Sequence, residues 1–333
     1  MIRIMSASCA QNVTVEIIIA TYNGMRYLEA QVASLLQQNT EAVIQILIGD
    51  DGSTDGTQNL IKALGERYPQ KIKLLPNGPG RGASANFSRL LQATTADYVF
   101  LCDQDDQWLP DKVQNSLEVL LEVERHKTSR TPALVFSDLE VVDRELVPLA
   151  PSLWKYQGLN PEAVDLMSLV QQNVVTGCTV LVNRALLEHA LPIPTVACMH
   201  DHWLALVAAA IGEIALLRQT TVRYRQHGEN GIGACPWSLA YVLRRACKLL
   251  SHQSATQQLI ATTAQAREMH KQFACALAEN TGTQLREYAA LAKKSGFLRL
   301  QTAWRYGWHR QHWAQTLGWY WLLVWAKCAE NDE

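Results

Sequence analysis

The sequence predicts an α/β fold with a mostly parallel sheet and flanking helices, followed by an all-helical C-terminal appendage. Two observations support this prediction. In the first part of the chain, short β-branched runs alternate with segments of helical periodicity, and strands linked by helices form right-handed βαβ units. From about Pro236 onward, strand signals are few and helical patterns continue. We therefore divide the chain into residues 1–235 and residues 236–333.

The first strand–helix units follow one another closely. Val13–Ala20 is a β-branched run that ends at a turn, and Tyr27–Gln37 then shows apolar residues at helical spacing. Val43–Ile48 is a second apolar strand, which ends at a turn rich in Gly and Asp before the helix Thr57–Arg67. The next predicted elements are the strand Ile72–Leu75, the helix Ala85–Ala93, and the strands Tyr98–Cys102 and Leu134–Ser137.

The later elements change in character. Val174–Val182 is predicted as a strand with Gly177 near its centre, Leu204–Ile211 as an apolar helix, and Thr220–Tyr224 as a strand. The remaining segments favour helices. They are Leu239–Leu250, Ala255–Leu277, Gln284–Ala292 and Phe297–Cys328.

The overall composition is that of a globular protein. Of 333 residues, 48% are hydrophobic and 18% are charged, and the net charge is −1. This excludes disordered, collagen-like and polytopic membrane classes, and the total charge gives no indication of a nucleic-acid partner. The charge is nevertheless uneven, because residues 236–333 hold 12 basic and 6 acidic side chains. Six of the ten Trp residues lie close together near the C-terminus, between Trp304 and Trp325.

The cysteines and the N-terminus indicate a compartment. The eight cysteines are scattered and form no zinc-like spacing, as expected in a reducing environment. The first residues lack a basic flank followed by a long apolar core, and no apolar run reaches 18 residues. We therefore expect no signal peptide, no transmembrane helix and a cytoplasmic location.

Acidic clusters follow two of the predicted strands. Asp50 and Asp51 come directly after the second strand, and Asp103, Asp105 and Asp106 come after the fourth. Ligands bind beyond the carboxyl ends of parallel strands, and carboxylates there suit Mg²⁺ or Mn²⁺. The alternative for each cluster is a solvated turn that caps the next helix, through Ser53 or Asp55 after the second strand and with Asp111 at the helix start after the fourth.

Three motifs together resemble a known family. They are IIIATYNG at 17–24, ILIGDDGSTDGT at 46–57 and FLCDQDDQWLPDKV at 100–113. Because the three motifs occur in this order and at this spacing, the sequence resembles family 2 glycosyltransferases with the GT-A nucleotide-sugar fold. The resemblance covers roughly residues 13–235. The resemblance implies an inverting, metal-dependent transfer of a sugar from a nucleotide donor to a hydroxyl of a glycan or lipid-linked acceptor.

The resemblance assigns roles to matching residues. It implies metal ligation by Asp103, Asp105 and His227, with Mg²⁺ or Mn²⁺ as the ion; a structural role is the alternative for His227. It implies that the second Asp of the DDGS turn, Asp51, accepts a hydrogen bond from the base, as a carboxylate does from uracil or thymine. The implied nucleotide-sugar contacts are Thr21, Tyr22, Asn23, Asp50, Asp51, Arg81, Asp103, Asp106, Thr176, Gly177, Trp203 and Arg225. The alternative for Arg81 is an exposed surface arginine. The alternative for Trp203 and for the strand around Gly177 is packing in the core.

The resemblance also implies an acidic general base just before the apolar helix Leu204–Ile211. Asp201 is the only carboxylate between Glu188 and Glu213, so it is the candidate. Its alternative role is stabilisation of a helix N-terminus. His200 and His202 are interpreted as orienting or packing groups.

Donor and acceptor are less sharply predicted. CDQDDQWLPDK and YRQHGENGIG are similar to the bacterial rhamnosyltransferase branch, which implies dTDP-L-rhamnose and a role in cell-surface polysaccharide synthesis. The alternative donors are UDP-hexose and UDP-N-acetylhexosamine. A sugar nucleotidyltransferase is a further alternative, but Thr21–Gly24 does not match its glycine-rich loop, and the intact acidic motifs argue against a non-catalytic scaffold.

The basic, Trp-rich C-terminal region has two interpretations. Gln301–Cys328 mixes aromatic and aliphatic residues with Arg and His, a pattern typical of helices that lie in a membrane interface. We expect contact with the cytoplasmic face of the inner membrane. The alternative is packing against the catalytic domain or against a second copy of the chain.

Overall fold

The sheet is built from nine strands within the part of the chain that the structure describes. The computed structural model describes residues 13–78, 80–227 and 252–326; the predicted helix Leu239–Leu250 and the boundary at Pro236 lie outside these ranges. The strands are β1 (Thr14–Thr21), β2 (Val43–Asp50), β3 (Ile72–Leu75), β4 (Tyr98–Asp103), β5 (Gln107–Trp108), β6 (Ala133–Val142), β7 (Pro148–Ala150), β8 (Leu181–Asn183) and β9 (Glu213–Arg225).

The sheet is mixed. Its order is β3-β2-β1-β4-β8-β6-β9-β5, with β7 paired to β6. The half formed by β3, β2, β1 and β4 is parallel, as the βαβ pattern predicts, whereas β8 pairs antiparallel with both β4 and β6. The predicted α/β fold is confirmed, and the parallel half places the loops after β1, β2 and β4 at one edge.

Helices cover both faces of the sheet. They are α1 (Leu28–Leu36), α2 (Thr57–Arg67), α3 (Ala83–Ala93), α4 (Lys112–His126), α5 (Leu153–Gln157), α6 (Leu166–Gln171), α7 (Arg184–Ala190) and α8 (His200–Ile211). Side chains of β1 alternate between two cores: Ile17 and Ile19 lie in one hydrophobic cluster and Ile18 in the other. This is the period of two that a strand buried on both faces requires.

The segment around Gly177 corrects one prediction. Instead of a continuous strand over Val174–Val182, Gly177–Thr179 forms a 3-10 turn and the strand β8 begins afterwards. The Thr179 amide (2.9 Å) and hydroxyl (2.7 Å) both donate to the carbonyl of Thr176. Local hydrogen bonding of this kind replaces the strand ladder, and it turns the backbone of Gly177 towards α8.

The described part of the C-terminal region, residues 252–326, is helical, as predicted. It contains α9 (His252–Phe273), α10 (Glu279–Ala289), α11 (Gly296–Arg305) and α12 (Trp313–Trp325). The predicted single helix Phe297–Cys328 is interrupted after α11, where Gly307 has φ +66° and the indole of Trp308 is buried. Residues of α9, α10 and α12, among them Met269, Tyr288 and Trp319, share one hydrophobic cluster with α8.

Within the described ranges, no helix combines the length and the hydrophobicity needed to cross a bilayer.

Candidate active site

The loops after β1, β2 and β4 are joined by hydrogen bonds. The amide of Tyr22 donates to Oε1 of Gln104 and Nε2 of Gln104 donates back to the Tyr22 carbonyl, both at 2.9 Å. The amide of Asn23 donates to the Ser53 hydroxyl at 2.8 Å, and its side-chain oxygen accepts from the Thr54 amide at 2.9 Å. The predicted nucleotide-contacting turn therefore has a fixed position against both acidic clusters, while the Tyr22 ring is exposed.

Asp50 organises the turn after β2. Its Oδ1 accepts from the hydroxyls of Thr21 (2.9 Å) and Ser53 (2.5 Å), and its Oδ2 accepts from the amides of Gly52 (3.0 Å) and Ser53 (2.9 Å). The carboxylate is 3% exposed. Because four donors surround it, Asp50 shapes the loop, and the predicted contact with the donor stays a prediction.

Asp51 is bound to the glycine-rich loop before α3. Its two oxygens accept from the amides of Gly80 (3.1 Å) and Gly82 (2.7 Å). Both glycines have positive φ, a conformation that other residues seldom adopt. Arg81 lies between them and is exposed. The loop thus brings Arg81 next to the predicted base-binding carboxylate.

The cluster after β4 has a different electrostatic state. Burial, together with the charges of Asp105 and Asp201, raises the pKa of Asp103 to about 7. Asp106 is 0% exposed, and burial together with Asp105 and Asp103 raises its pKa well above the usual value. Its Oδ1 accepts from the Arg225 amide at 3.1 Å, while Oδ2 accepts no hydrogen bond from nitrogen or oxygen in the described ranges.

Asp105 is paired with His227. The carboxylate Oδ2 and the imidazole Nε2 are 2.8 Å apart, and the side chains of His227 and Asp105 are 11% and 14% exposed. The two residues come from the loop after β4 and the segment after β9, so the fold brings together two of the three residues predicted to bind metal. Asp103, the third, is near enough to Asp105 for its pKa to rise.

The donor set is compatible with a divalent cation. Several carboxylates lie within reach of one another, and raised pKa values show that their ionised forms are unfavourable as they stand. Carboxylate oxygens and an imidazole suit Mn²⁺, and carboxylates suit Mg²⁺. Ligand atoms of Asp103, Asp106 and Cys178 also lie within 4.8 Å of one another. Burial raises the pKa of the Cys178 thiol well above normal, and a protonated thiol is a poor ligand for these hard cations.

Asp201 lies in the first turn of α8, facing the 3-10 turn. Its Oδ2 accepts from the Gly177 amide at 3.0 Å and its Oδ1 from the His202 amide at 2.7 Å. Burial raises the pKa of Asp201 to about 6, although these hydrogen bonds oppose the shift. A side chain at Gly177 would approach Asp201 and His200 at 3.4 Å. Thr176, the residue before, is partly buried at the same turn.

The two histidines beside Asp201 are packing groups. The ring of His200 stacks on Phe87 with centroids 3.9 Å apart, and burial lowers its pKa to about 3. His202 Nε2 lies 2.8 Å from the Leu169 carbonyl and Nδ1 lies 3.2 Å from Nε2 of Gln265 on α9. Burial lowers the pKa of His202 to about 4. Both rings are therefore neutral near pH 7.

Trp203 and Arg225, both predicted to contact the nucleotide sugar, are buried among protein groups. Trp203 is 0% exposed and its Nε1 donates to the Ala190 carbonyl at 3.0 Å, so it lies in the core and the prediction that it faces a sugar is wrong. Arg225 is 5% exposed, and its Nε donates to the main-chain carbonyl of Asp105 at 2.8 Å. Its predicted contact with the diphosphate stays a prediction.

Sequence reasoning missed several residues of the site. Gln104 joins two loops, but a glutamine between two aspartates carries no sequence signal of such a bridge. Cys178 contributes to the buried acidic cluster, and no metal-type spacing marks it in the sequence. Tyr27 contacts His227 with ring centroids 5.1 Å apart, and an aromatic residue before a helix carries no signal of such a contact.

Comparison with known proteins gives a consistent result. Residues 16–126 match the family model Glycosyl transferase family 2. An uncharacterized protein of Mycobacterium bovis is 30% identical over 233 residues, covering 69% of this chain and 62% of the relative. A protein of Shigella flexneri named dTDP-rhamnosyl transferase RfbG is 29% identical, covering 65% of this chain and 73% of the relative. This chain thus spans less than two thirds of the mycobacterial relative.

A solved structure agrees in fold. S. aureus TarS 1–349 in complex with UDP-GlcNAc superposes with a TM-score of 0.51 at 15% identity, covering 93% of this chain and 90% of that chain. At this identity the similarity concerns the fold alone. It confirms the GT-A architecture that the three sequence motifs imply.

Proposed function

We propose, on the premise that residues 16–126 carry a family 2 glycosyl transferase domain, that the chain transfers a sugar from a nucleoside diphosphate to an acceptor hydroxyl with inversion. One observation carries this proposal most strongly. Asp201, whose pKa is raised by burial to about 6, lies close enough to Asp103 to raise the pKa of that carboxyl too. A base of suitable pKa therefore lies beside the carboxylates that would hold a cation for the leaving diphosphate.

In this proposal, one set of residues binds the nucleoside and another holds the cation. Asp51 and the loop bearing Arg81 bind the nucleoside, and the turn at Thr21 and Tyr22 lines its site. Asp105 and His227, with Asp103, would hold a divalent cation, which when bound neutralises charge on the leaving diphosphate.

Asp201 then removes the proton of the acceptor hydroxyl. The acceptor oxygen forms a bond to the anomeric carbon while the bond from that carbon to the diphosphate oxygen breaks. The proton remains on Asp201 and the electron pair leaves with the nucleoside diphosphate. One displacement inverts the anomeric configuration, so no covalent intermediate on the enzyme is required. Gly177 and Thr176 border the space in front of Asp201.

The donor that we propose is dTDP-L-rhamnose. Support comes from the Shigella flexneri relative, which is named for that chemistry and is aligned over 65% of this chain. UDP-hexose and UDP-N-acetylhexosamine are the alternatives, because the carboxylate of Asp51 accepts equally from thymine and uracil N–H groups. The acceptor that we propose is a glycan or lipid-linked hydroxyl in bacterial surface-polysaccharide synthesis.

The test is a thermal-shift panel of dTDP-L-rhamnose, UDP-glucose and UDP-N-acetylglucosamine with and without Mn²⁺, followed by transfer assays. We expect the largest stabilisation from dTDP-L-rhamnose with Mn²⁺, and weaker stabilisation in Asp105→Ala. A larger shift with a UDP-sugar would replace the donor assignment. Absence of transfer or donor hydrolysis with every sugar would overturn the function itself.

We also propose that α11 and α12 place the enzyme on the cytoplasmic face of the membrane. Large apolar side chains are exposed on these two helices: Phe297 (75%), Leu298 (49%), Trp304 (67%), Trp313 (71%), Leu317 (60%) and Trp325 (55%). Exposed aromatics beside basic residues are typical of an interfacial helix. The excess of basic residues in 236–333 favours an anionic leaflet.

Vesicle flotation tests the membrane proposal. Trp313→Ser with Leu317→Ser should reduce binding to phosphatidylglycerol vesicles. Leu149→Ser, a matched change at an exposed position of β7, should leave binding unchanged. Equal flotation of all variants would contradict the proposal, as would unchanged activity on a lipid-linked acceptor after truncation beyond Ala303.

A further inference from the structure

Arg225 makes an unusual set of contacts for a predicted ligand-binding arginine. It is the last residue of β9, two positions before His227. Its amide donates to Asp106 Oδ1 at 3.1 Å, and its Nε donates to the Asp105 carbonyl at 2.8 Å. Its Nη1 donates to the Arg144 carbonyl. The first two bonds attach the end of β9 to the loop that carries Asp105, and the third attaches it to the turn between β6 and β7.

Tyr27 completes the arrangement from a third element. The guanidinium carbon of Arg225 lies 4.6 Å from the centre of the Tyr27 ring. The same ring lies 5.1 Å from the imidazole of His227, at an interplanar angle of 32°. Tyr27 is the residue immediately before α1. The aromatic ring therefore contacts both the arginine that holds the loop and the histidine that faces it.

Together these contacts form a closed circuit. Asp105 and His227 are 122 positions apart in sequence and their side chains meet at 2.8 Å. Arg225 holds the main chain of Asp105 in place. On the other side, the Tyr27 ring limits the rotation of the His227 imidazole. Groups that orient metal ligands from behind in this way typically change metal affinity 10–100-fold when altered.

We propose that Arg225 and Tyr27 are positioning residues that hold Asp105 and His227 at the spacing required to bind one divalent cation. The inference rests on the proposed function, in which these two side chains hold the cation. It adds that Arg225 acts through the Asp105 loop and need not touch the donor. A planar guanidinium suits this task because its fork donates to fixed carbonyls while its face covers an aromatic ring.

The test measures Mn²⁺ binding directly on the full chain, without donor, from the free Mn²⁺ signal in electron paramagnetic resonance. Arg225→Lys keeps the charge but loses the fork, and Tyr27→Leu loses the ring. We expect each variant to bind Mn²⁺ about 10–100-fold more weakly. Tyr27→Phe keeps the ring and should bind as the wild type does.

The control is Arg223→Lys on the same strand. Arg223 is partly exposed and bonded to Glu140 and Gln107. Its substitution by Lys should therefore leave the Mn²⁺ affinity and the melting temperature nearly unchanged. Affinity in Arg225→Lys and Tyr27→Leu equal to the wild type would overturn the proposal, as would a wild type that does not bind Mn²⁺. If one variant fails to fold, the other decides.

This outcome is separable from that of the proposed function. A wild type that binds Mn²⁺ tightly but transfers no sugar would refute the function while the affinity differences between variants remain. Conversely, an active enzyme whose Mn²⁺ affinity is insensitive to Arg225→Lys and Tyr27→Leu would refute only the positioning role.

Discussion

Two groups of carboxylates at one edge of the sheet differ in how their charges are compensated. In the turn after β2, Asp50 is surrounded by four hydrogen-bond donors and Asp51 accepts from two amides. The second group consists of Asp103, Asp106 and Asp201, whose pKa values are all raised by burial. The first group builds the loop, whereas the second consists of carboxyl groups whose ionised forms burial disfavours.

The largest effect should come from the second group. Asp201→Asn removes the proposed base with little change of shape, and we expect kcat to fall roughly 10²–10⁴-fold while donor-induced thermal stabilisation is retained. The measurement is transfer or donor turnover at saturating donor. Activity within a few fold of the wild type would exclude Asp201 as the base.

The wild-type pH profile gives a second view of the same residue. Asp201 must be ionised to accept a proton, and burial raises its pKa to about 6. Activity should therefore fall as the pH drops through about 6 and level off above it. A profile measured between pH 5 and 8 that stays flat would show that no group of this pKa limits the reaction.

The first group should respond in stability. Asp50→Asn places an amide N–H₂ against donors, and loss of charged hydrogen bonds of this kind costs roughly 1.5–3 kcal/mol each. We expect a clear fall in melting temperature, with activity reduced in proportion to the folded fraction. Glu66→Gln makes the same kind of change at an exposed site of α2 and should leave stability unchanged. An equal effect of both variants would remove the distinction between the groups.

The smallest effect should have the opposite sign. In the folded chain the pKa of Asp103 is about 7, above its usual value, so ionisation at pH 8 destabilises the fold. Without metal, Asp103→Asn should raise the melting temperature at pH 8. The gain should shrink as the pH falls towards 4, because Asp103 then becomes protonated in both the folded and the unfolded chain. A lower melting temperature at pH 8 would show that Asp103 resembles Asp50 instead.

Much of this edge could be predicted from the sequence. Strands buried on both faces give continuous β-branched runs, so the positions of Asp50 and Asp103 at strand ends follow from local pattern. The scarcity of carboxylates between Glu188 and Glu213 directs attention to Asp201.

The rest depended on contacts between distant segments. Trp203 follows Asp201 closely, yet the helical geometry of α8 directs its indole into the core. The 3-10 turn at Gly177 depends on the Thr179 hydroxyl, which competes with strand pairing in a β-branched run. The contact between Tyr27 and Arg225 joins elements that no periodicity links.

The amide of Gln265 has a consequence for anyone who wishes to recombine parts of such enzymes. It is 1% exposed, accepts from the Cys198 amide at 2.7 Å and lies 3.2 Å from the His202 ring, one residue from Asp201. A hybrid in which α9 comes from another transferase would lose this partner unless His202 and Gln265 are exchanged together. The helical region therefore supplies a buried partner to the residue beside Asp201, and an exchange of helices should keep that pair together.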